Sequence, residues 1–339
     1  MRALTVLALL TLAACSQPGG AVVTSPPPKA SPTASATAPC KLPLWWTVAL
    51  SPGQGEEIHV GFVTIPGGAA TDAGALPPPV QTPNGLPSLV FDAATYTTSG
   101  KWVRVARNVM SADEKRFVYW DTDQSGQVMH VVDLASGSDR VIYTGASLYV
   151  PIAFLSDAIY LSRAINLRQG SLENLYRLDP SGGLPQLVPG SDRHMYQWAW
   201  INVADGAAWG IDYKVEGTTY TYSLLRLDLQ TSEVQTWLAE TPEDLIWPLG
   251  VDGRHRLYAA DQQHLWRVDS PGNAVSLPNP GPIMPGSGTG VETGFVADSR
   301  GAWFPGRGGV WLYADGQEPR EFMAGSANST TYPAGTCLS

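Results

Sequence analysis

The sequence predicts an all-β fold, and two observations support this assignment. The first is composition: 15% of the 339 residues are charged, while 35 glycines, 28 prolines, 12 tryptophans and 13 tyrosines are present. Frequent turn formers and aromatic residues favour many short strands over helices. The second is a repeat of short apolar segments at intervals of about 45 residues, without convincing helical periodicity.

Each repeat contains an apolar segment that ends in aspartate and precedes turn-forming residues. These aspartates are Asp92, Asp133, Asp179, Asp228, Asp269 and Asp315. Subtracting their numbers gives spacings of 41, 46, 49, 41 and 46 residues. A second series of turn aspartates comprises Asp113, Asp157, Asp205, Asp252 and Asp298. It advances by 44, 48, 47 and 46 residues, in step with the first series.

The repeat unit is typical of four antiparallel strands joined by tight turns and loops. A lone sheet of this kind leaves both apolar faces uncovered, so the copies must pack face to face around an axis. The sequence therefore predicts a β-propeller, with six four-stranded blades. A pair of β-sandwiches is the alternative, because sandwiches also contain short strands at regular intervals.

The turn segments resemble those of bacterial TolB-like and WD40-like propellers. The resemblance lies in the turn Ser51-Pro52-Gly53 between apolar strands, and in segments such as Leu225-Arg226-Leu227-Asp228. It extends over nearly all of residues 42–325. These motifs specify turns and blade packing, so the resemblance implies a fold and no particular activity.

The first 14 residues have the layout of a signal peptide, in which Arg2 precedes an uncharged apolar run. A run of about a dozen residues is too short to span a bilayer. Leu12-Ala13-Ala14-Cys15 resembles the bacterial lipobox. This resemblance implies that Cys15 carries a lipid and anchors the chain in the cell envelope, on the extracytoplasmic side of a membrane. An ordinary secretory signal is the alternative.

Residues 15–39 link this anchor to the folded region, and they consist mostly of Ser, Thr, Pro, Ala, Gly and Val. Such a segment cannot bury enough apolar surface to offset the cost of ordering the chain. We expect a disordered stalk here, and a propeller domain over residues 40–339.

The chain contains three cysteines, Cys15, Cys40 and Cys337. If Cys15 is acylated, Cys40 and Cys337 remain as a pair in an oxidising compartment, where disulfides persist. They flank the folded region, so a disulfide would join the two ends that a closed propeller brings together. Two unpaired thiols are the alternative.

The formal net charge of −9 limits the choice of partners. Nucleic acids are excluded, because binding them requires clustered Lys and Arg. The same charge disfavours electrostatic docking to an anionic membrane surface, so we expect membrane contact only through the lipid. A protein, peptide or glycan ligand and a monomeric state are expected.

Candidate ligand contacts lie at one face of the predicted propeller, where the longer loops enter the first strand of each blade. Function concentrates in such loops. The candidates are Arg107, Tyr149, Arg193, His194, Tyr196, Glu243, Asp244 and Glu292.

A weak calcium candidate is formed by Asp121, Asp123 and Ser125, which resemble the opening of a DxDxDG loop. Met129 and Val132 stand where such loops place their later oxygen donors. The alternative is a hairpin connection rich in turn formers. No other cofactor is expected.

The sequence carries no local catalytic motif, since GxSxG and phosphate-binding glycine loops are absent. The leading hypothesis is therefore a binding or scaffolding propeller. The alternative is an extracellular hydrolase or lyase, whose acidic and histidine residues would converge from several blades at the axis. A shallow face, or a channel plugged by apolar side chains, would favour the binder. Two or more carboxylates, or a His–carboxylate pair, within hydrogen-bond reach in a deep axial pocket would favour the enzyme.

Overall fold

The computed structural model describes residues 39–50, 56–77, 92–123, 126–166, 171–192, 200–242, 246–261, 263–279, 294–323 and 329–338. Within these ranges the chain forms β-strands and one 3-10 turn, Arg107–Val109. No helix in them has the length and apolar character needed to cross a membrane. The predicted signal peptide, Cys15 and the stalk up to residue 38 lie outside the described residues.

The strands of the N-terminal half form three sheets and a small hairpin. The first group is β1 (Cys40–Ala49), β2 (Glu56–Ile65) and β3 (Ala70–Ala75). The hairpin is β4 (Thr95–Tyr96) and β5 (Trp102–Val103). The second sheet contains β6 (Arg116–Asp123), β7 (Gly126–Asp133) and β8 (Asp139–Gly145). The third contains β9 (Leu148–Phe154), β10 (Ile159–Asn166), β11 (Ser171–Leu178) and β12 (Gln186–Leu187).

The C-terminal half continues with groups of four strands. One sheet comprises β13 (Trp200–Ala204), β14 (Ala207–Glu216), β15 (Thr219–Asp228) and β16 (Val234–Pro242). The next comprises β17 (Trp247–Val251), β18 (Leu257–Ala260), β19 (Leu265–Ser270) and β20 (Asn273–Leu277). The last group comprises β21 (Val296–Asp298), β22 (Gly301–Arg307), β23 (Gly309–Tyr313) and β24 (Arg320–Met323), after which comes β25 (Thr330–Pro333).

Strands that are consecutive in the chain pair antiparallel within each group, so that β9–β12, β13–β16 and β17–β20 are simple meanders. The three-stranded sheet β6–β8 is extended by an isolated bridge between Met110 and Phe117. First strands of neighbouring sheets pack together, β9 against β13 and β13 against β17. Meanders stacked in this way are propeller blades. The predicted all-β propeller is confirmed, while the number of six blades stays a prediction.

The two ends of the described region meet in one sheet. Strand β25 lies between β22 and β1, and it pairs Pro333 with Leu44 and Thr331 with Gly306. A disulfide joins Cys40 to Cys337, whose Cα atoms are 5.7 Å apart across 297 residues of sequence. The C-terminal strand thus completes a sheet that the N-terminal strands begin.

The core lies between neighbouring sheets, because each blade buries both of its faces. Trp200 of β13 packs in one cluster with Ile152 of β9 and Tyr160 of β10. In the next cluster Trp209 packs with Leu257, across the boundary between the following two sheets. Burial on both faces explains why β9 and β18 are nearly continuous apolar segments, without the alternation of a half-exposed strand.

Aspartate side chains shape the tight turns at strand ends. The carboxylate of Asp133 accepts hydrogen bonds from the amides of Ala135 and Ser136, at 3.1 and 2.8 Å. Asp179 and Asp228 accept equivalent bonds after β11 and β15. These are Asx turns, in which the side chain replaces a backbone acceptor. Asp133, Asp179 and Asp228 of the first repeat series are therefore turn residues.

Candidate functional site

A cavity of about 240 Å³ lies where the first strands of several blades converge. Its wall is built from the 3-10 turn 107–109 and from strands β9, β13, β17 and β21 with their flanking residues. The lining residues are Arg107, Asn108, Ile152, Ile201, Asn202, Ala204, Leu249, Gly250, Val251, Phe295, Val296 and Ala297. Since first strands surround the central channel of a propeller, we call this space the axial cavity.

Two asparagines connect neighbouring blades in the wall of the axial cavity. Asn108 donates from Nδ2 to the carbonyl of Ile152 at 3.1 Å. Asn202 donates in the same way to the carbonyl of Leu249, also at 3.1 Å. Each carboxamide therefore satisfies a backbone acceptor of the adjacent blade, which fixes the spacing of the wall.

Glu114 holds Arg107 in place. The guanidinium Nη2 of Arg107 donates a hydrogen bond to the Glu114 carboxylate at 3.0 Å. The other oxygen of Glu114 accepts the amide of Thr98 in the β4–β5 turn, at 2.5 Å. Glu114 has a backbone φ of 54° and a side chain that is only 10% exposed. One buried carboxylate thus links the β4–β5 hairpin to a residue of the cavity wall.

The apolar side of the wall is tightly packed. Gly250 faces the ring of Phe295, where an added Cβ would lie 2.1 Å from a ring carbon. Phe295 in turn contacts Tyr258 and Phe304, with ring centroids 5.4 and 5.5 Å away. Burial raises the pKa of Tyr258 to about 12, with smaller opposing effects of nearby charges. This environment suits an apolar ligand better than an ionic one.

Among the residues that line the cavity in the described part of the chain, none is a carboxylate or a histidine. The described histidines pair with carboxylates elsewhere. These pairs are His59 with Asp72, His130 with Asp139, His255 with Asp205, and His264 with Asp261. The described wall therefore lacks the side chains that general acid–base catalysis most often uses.

Two of the predicted ligand contacts, Arg107 and Tyr149, lie in different environments in the structure. Arg107 lines the cavity, as described above. Tyr149 is 7% exposed, and its ring packs edge-on against Tyr143 and Tyr176 at 5.5 and 5.1 Å. Its side chain thus belongs to the packing between two blades and does not line the axial cavity.

Most of the other predicted site residues fall outside the described residues. They are Cys15, Ser125, Arg193, His194, Tyr196, Glu243, Asp244 and Glu292. In the chain, the last six of them precede β13, β17 or β21, strands whose residues line the cavity.

The calcium candidate lies at the β6–β7 hairpin. Asp121 is 5% exposed within β6, and its carboxylate accepts the amide of Thr122 at 2.7 Å. Asp123 ends the strand and pairs with Gly126. No group of three metal-ligating side chains occurs among the described residues. Because Ser125 lies outside them, calcium binding stays a prediction.

Sequence reasoning missed Asn202, Leu249 and Phe295 as cavity residues. Each stands three positions before an aspartate of the second repeat series, namely Asp205, Asp252 and Asp298. In these three blades that position lines the axial cavity, on β13 or β17 or directly before β21, whereas Phe154, three positions before Asp157, packs in the core. The spacing alone therefore does not identify cavity residues, and a known strand register is needed.

No protein-family profile and no curated protein matches this chain. Similarity is found among solved structures. Prolyl oligopeptidase B from Galerina marginata, bound to a 35mer hydrolysis and macrocyclization substrate, is 10% identical with a TM-score of 0.52. The match covers 86% of this chain and 50% of the oligopeptidase.

Two further matches have lower TM-scores. TolB from Acinetobacter baumannii is 11% identical, with a TM-score of 0.37 over 71% of this chain and 64% of TolB. The β-propeller domain of the Trilobed protease from Pyrococcus furiosus is 11% identical, with a TM-score of 0.41 over 84% and 82%. The stacked four-stranded meanders confirm the expected propeller at the level of the fold, and similarity at such identities carries no function.

Proposed function

We propose that this chain is a lipid-anchored, extracytoplasmic binding propeller that holds part of a protein or peptide ligand in its axial cavity. The observation that supports binding over catalysis is the described cavity wall, which is apolar and carries carboxamides and one guanidinium. Specific binding sites are mostly apolar, with a few polar groups that fix orientation. A glycan would need more hydrogen-bonding groups than the described residues of this wall present.

The proposal also assigns ligand contacts to loop residues that precede the strands of the cavity wall. Arg193, His194 and Tyr196 come shortly before β13, while Glu243 and Asp244 come before β17 and Glu292 before β21. In the proposal they contact the part of the ligand that projects from the cavity. The extracytoplasmic location rests on the signal peptide and the lipobox at Cys15.

Filling the cavity tests the proposal. In the variant Ala204→Leu with Ala297→Leu, two wall residues gain side-chain volume that occupies the space. We expect the full chain to capture a partner from envelope extracts and this variant to lose it. Ala70→Leu, on the exposed strand β3, is the matched control and should behave like the wild type.

Capture that is equal in all three proteins would place binding elsewhere and overturn the proposal. Turnover of a substrate that the filled variant abolishes would instead favour an enzyme. Circular dichroism of each variant checks that the sheets are intact.

A further inference from the structure

We infer that the axial cavity binds the apolar C-terminus of a peptide, with its free carboxylate at Arg107. This inference rests on the proposed binding function and names the chemistry of the ligand. Three features of the wall carry it: its charge, a buried hydrogen-bond acceptor beside that charge, and the size of the apolar space.

Arg107 provides the one ionisable side chain among the residues described as lining the cavity. Glu114, which balances this charge from 3.0 Å away, does not line the cavity, so the cation faces the ligand space without an anion in the described wall. A carboxylate that leaves water requires a charged or hydrogen-bonding partner. The planar donors of arginine match carboxylate geometry. The wall therefore selects an anionic end on an otherwise apolar ligand.

The neighbouring Asn108 supplies the second feature. Its Nδ2 is occupied by the carbonyl of Ile152. Its Oδ1 is buried and has no hydrogen-bond partner in the described part of the chain. A buried acceptor without a donor is costly, so a ligand N–H at this point would be favoured. The last residue of a peptide presents an amide N–H close to its carboxylate, and adjacent residues of the wall present the complementary groups.

The size of the cavity fits one end of a ligand. Pockets for drug-sized ligands measure about 300–1,000 Å³, whereas this cavity measures about 240 Å³. Ile152, Leu249 and Phe295 line it with apolar surface. One apolar terminal side chain can occupy this space while the preceding residues extend toward the loop face. Capture of a C-terminal carboxylate is a known mode of peptide recognition.

Glu114 has a defined part in this site as a positioning residue. Its carboxylate accepts a hydrogen bond from Arg107 Nη2 at 3.0 Å, although Glu114 is not itself a wall residue. It therefore orients the guanidinium and also competes with the carboxylate of the ligand. Removing its charge should strengthen binding of an acid and leave binding of the corresponding amide unchanged.

The test uses two acetylated tetrapeptides that end in leucine, one with a free carboxylate and one with a terminal amide. Their affinities for the full chain in detergent are measured by calorimetry. We expect the acid to bind and the amide to bind more weakly by a factor on the order of ten. Arg107→Gln should reduce the affinity of the acid to that of the amide. Arg107→Lys should retain part of the difference in affinity between the two peptides.

Glu114→Gln should raise the affinity of the acid alone, because a merely structural role would change both peptides equally. Equal binding of acid and amide to the wild type would overturn the inference. The inference would also be overturned if the chain bound octanoate but neither peptide, or if it bound none of these three probes. If the cavity-filling variant still loses the captured partner in these cases, the proposed function stands and only the ligand chemistry is wrong.

Discussion

The carboxamide of Gln127 satisfies both backbone groups of Tyr149. Its Oε1 accepts the Tyr149 amide at 2.8 Å, and its Nε2 donates to the Tyr149 carbonyl at 2.5 Å. Gln127 lies in β7, while Tyr149 lies in β9 of the next sheet. One side chain therefore replaces a step of a β-ladder between two blades, in a place that is 1% exposed.

Gln127→Leu should destabilise the propeller by about 2–4 kcal/mol, because it leaves a buried N–H and a buried carbonyl without partners. The free energy of unfolding in urea measures the effect. Gln235→Leu, on the exposed side of β16, is the control and should change stability by less than about 0.5 kcal/mol. Equal effects of the two substitutions would contradict the role assigned to Gln127.

Cys15→Ala should abolish lipid attachment and release the chain from the membrane fraction. The prediction rests on the lipobox-like Leu12-Ala13-Ala14-Cys15 at the end of the leader. Mass spectrometry of the N-terminal peptide detects the lipid, and fractionation of cells detects its effect. An unmodified Cys15 in the membrane fraction of the wild type would contradict it.

Replacing both Cys40 and Cys337 with serine should lower the free energy of unfolding by about 2–4 kcal/mol. The disulfide restricts the unfolded chain, and in the folded state it fastens β1 next to the strand that closes the sheet. Urea unfolding under oxidising conditions measures the change. A wild type that is insensitive to reduction of this bond would be inconsistent with the expectation.

The fold could be predicted from the sequence because aspartates recur in several of its turns. Asp133, Asp179 and Asp228 recur because each accepts turn amides at the end of a strand, namely β7, β11 and β15. Asp92 fits the same spacing but lies in a bend, and the first sheet instead turns after Ile65. The apolar residues that precede Asp92 in the repeat lie outside the described residues.

The site was harder to predict, because a propeller cavity collects residues that are distant in the chain. The same loop reasoning selected Arg107, which lines the axial cavity, and Tyr149, whose ring packs between blades. Whether a side chain points to the axis or to a neighbouring sheet depends on strand register. A bulge or an extra residue changes that register, and the amino-acid composition does not reveal the change.

Asp315 should make stability depend on pH in the acidic range. Burial raises the pKa of its carboxyl, but the hydrogen bond from Arg256 at 2.6 Å and the charges of Arg254 and Arg267 outweigh burial, so the pKa lies below its ordinary value. A carboxyl with a depressed folded-state pKa contributes stability above its unfolded pKa of about 4, and loses it as pH falls further.

The variant Asp315→Asn isolates this contribution. We expect it to be less stable than the wild type by about 1–3 kcal/mol near pH 7. The difference should stay constant down to about pH 5 and shrink below about pH 4. Urea unfolding from pH 7 to pH 3 gives both curves. A gap that widens on acidification would reverse the assigned sign.

Tyr258 should make stability fall in the alkaline range. Burial beside Phe295 and Phe304 raises its pKa to about 12, whereas an unfolded tyrosine ionises near pH 10. Between these values the unfolded chain loses the phenol proton while the folded chain keeps it. Because the folded state then binds more protons, stability decreases as pH rises.

Tyr258→Phe keeps the ring and removes the titrating proton. The wild type should therefore lose stability more steeply than this variant between pH 10 and 12, by on the order of 2 kcal/mol over the interval. Below pH 9 the two curves should run parallel. Tyr220→Phe, at a residue that is 46% exposed, is the matched control. Parallel curves up to pH 12 would show that Tyr258 ionises equally easily in both states.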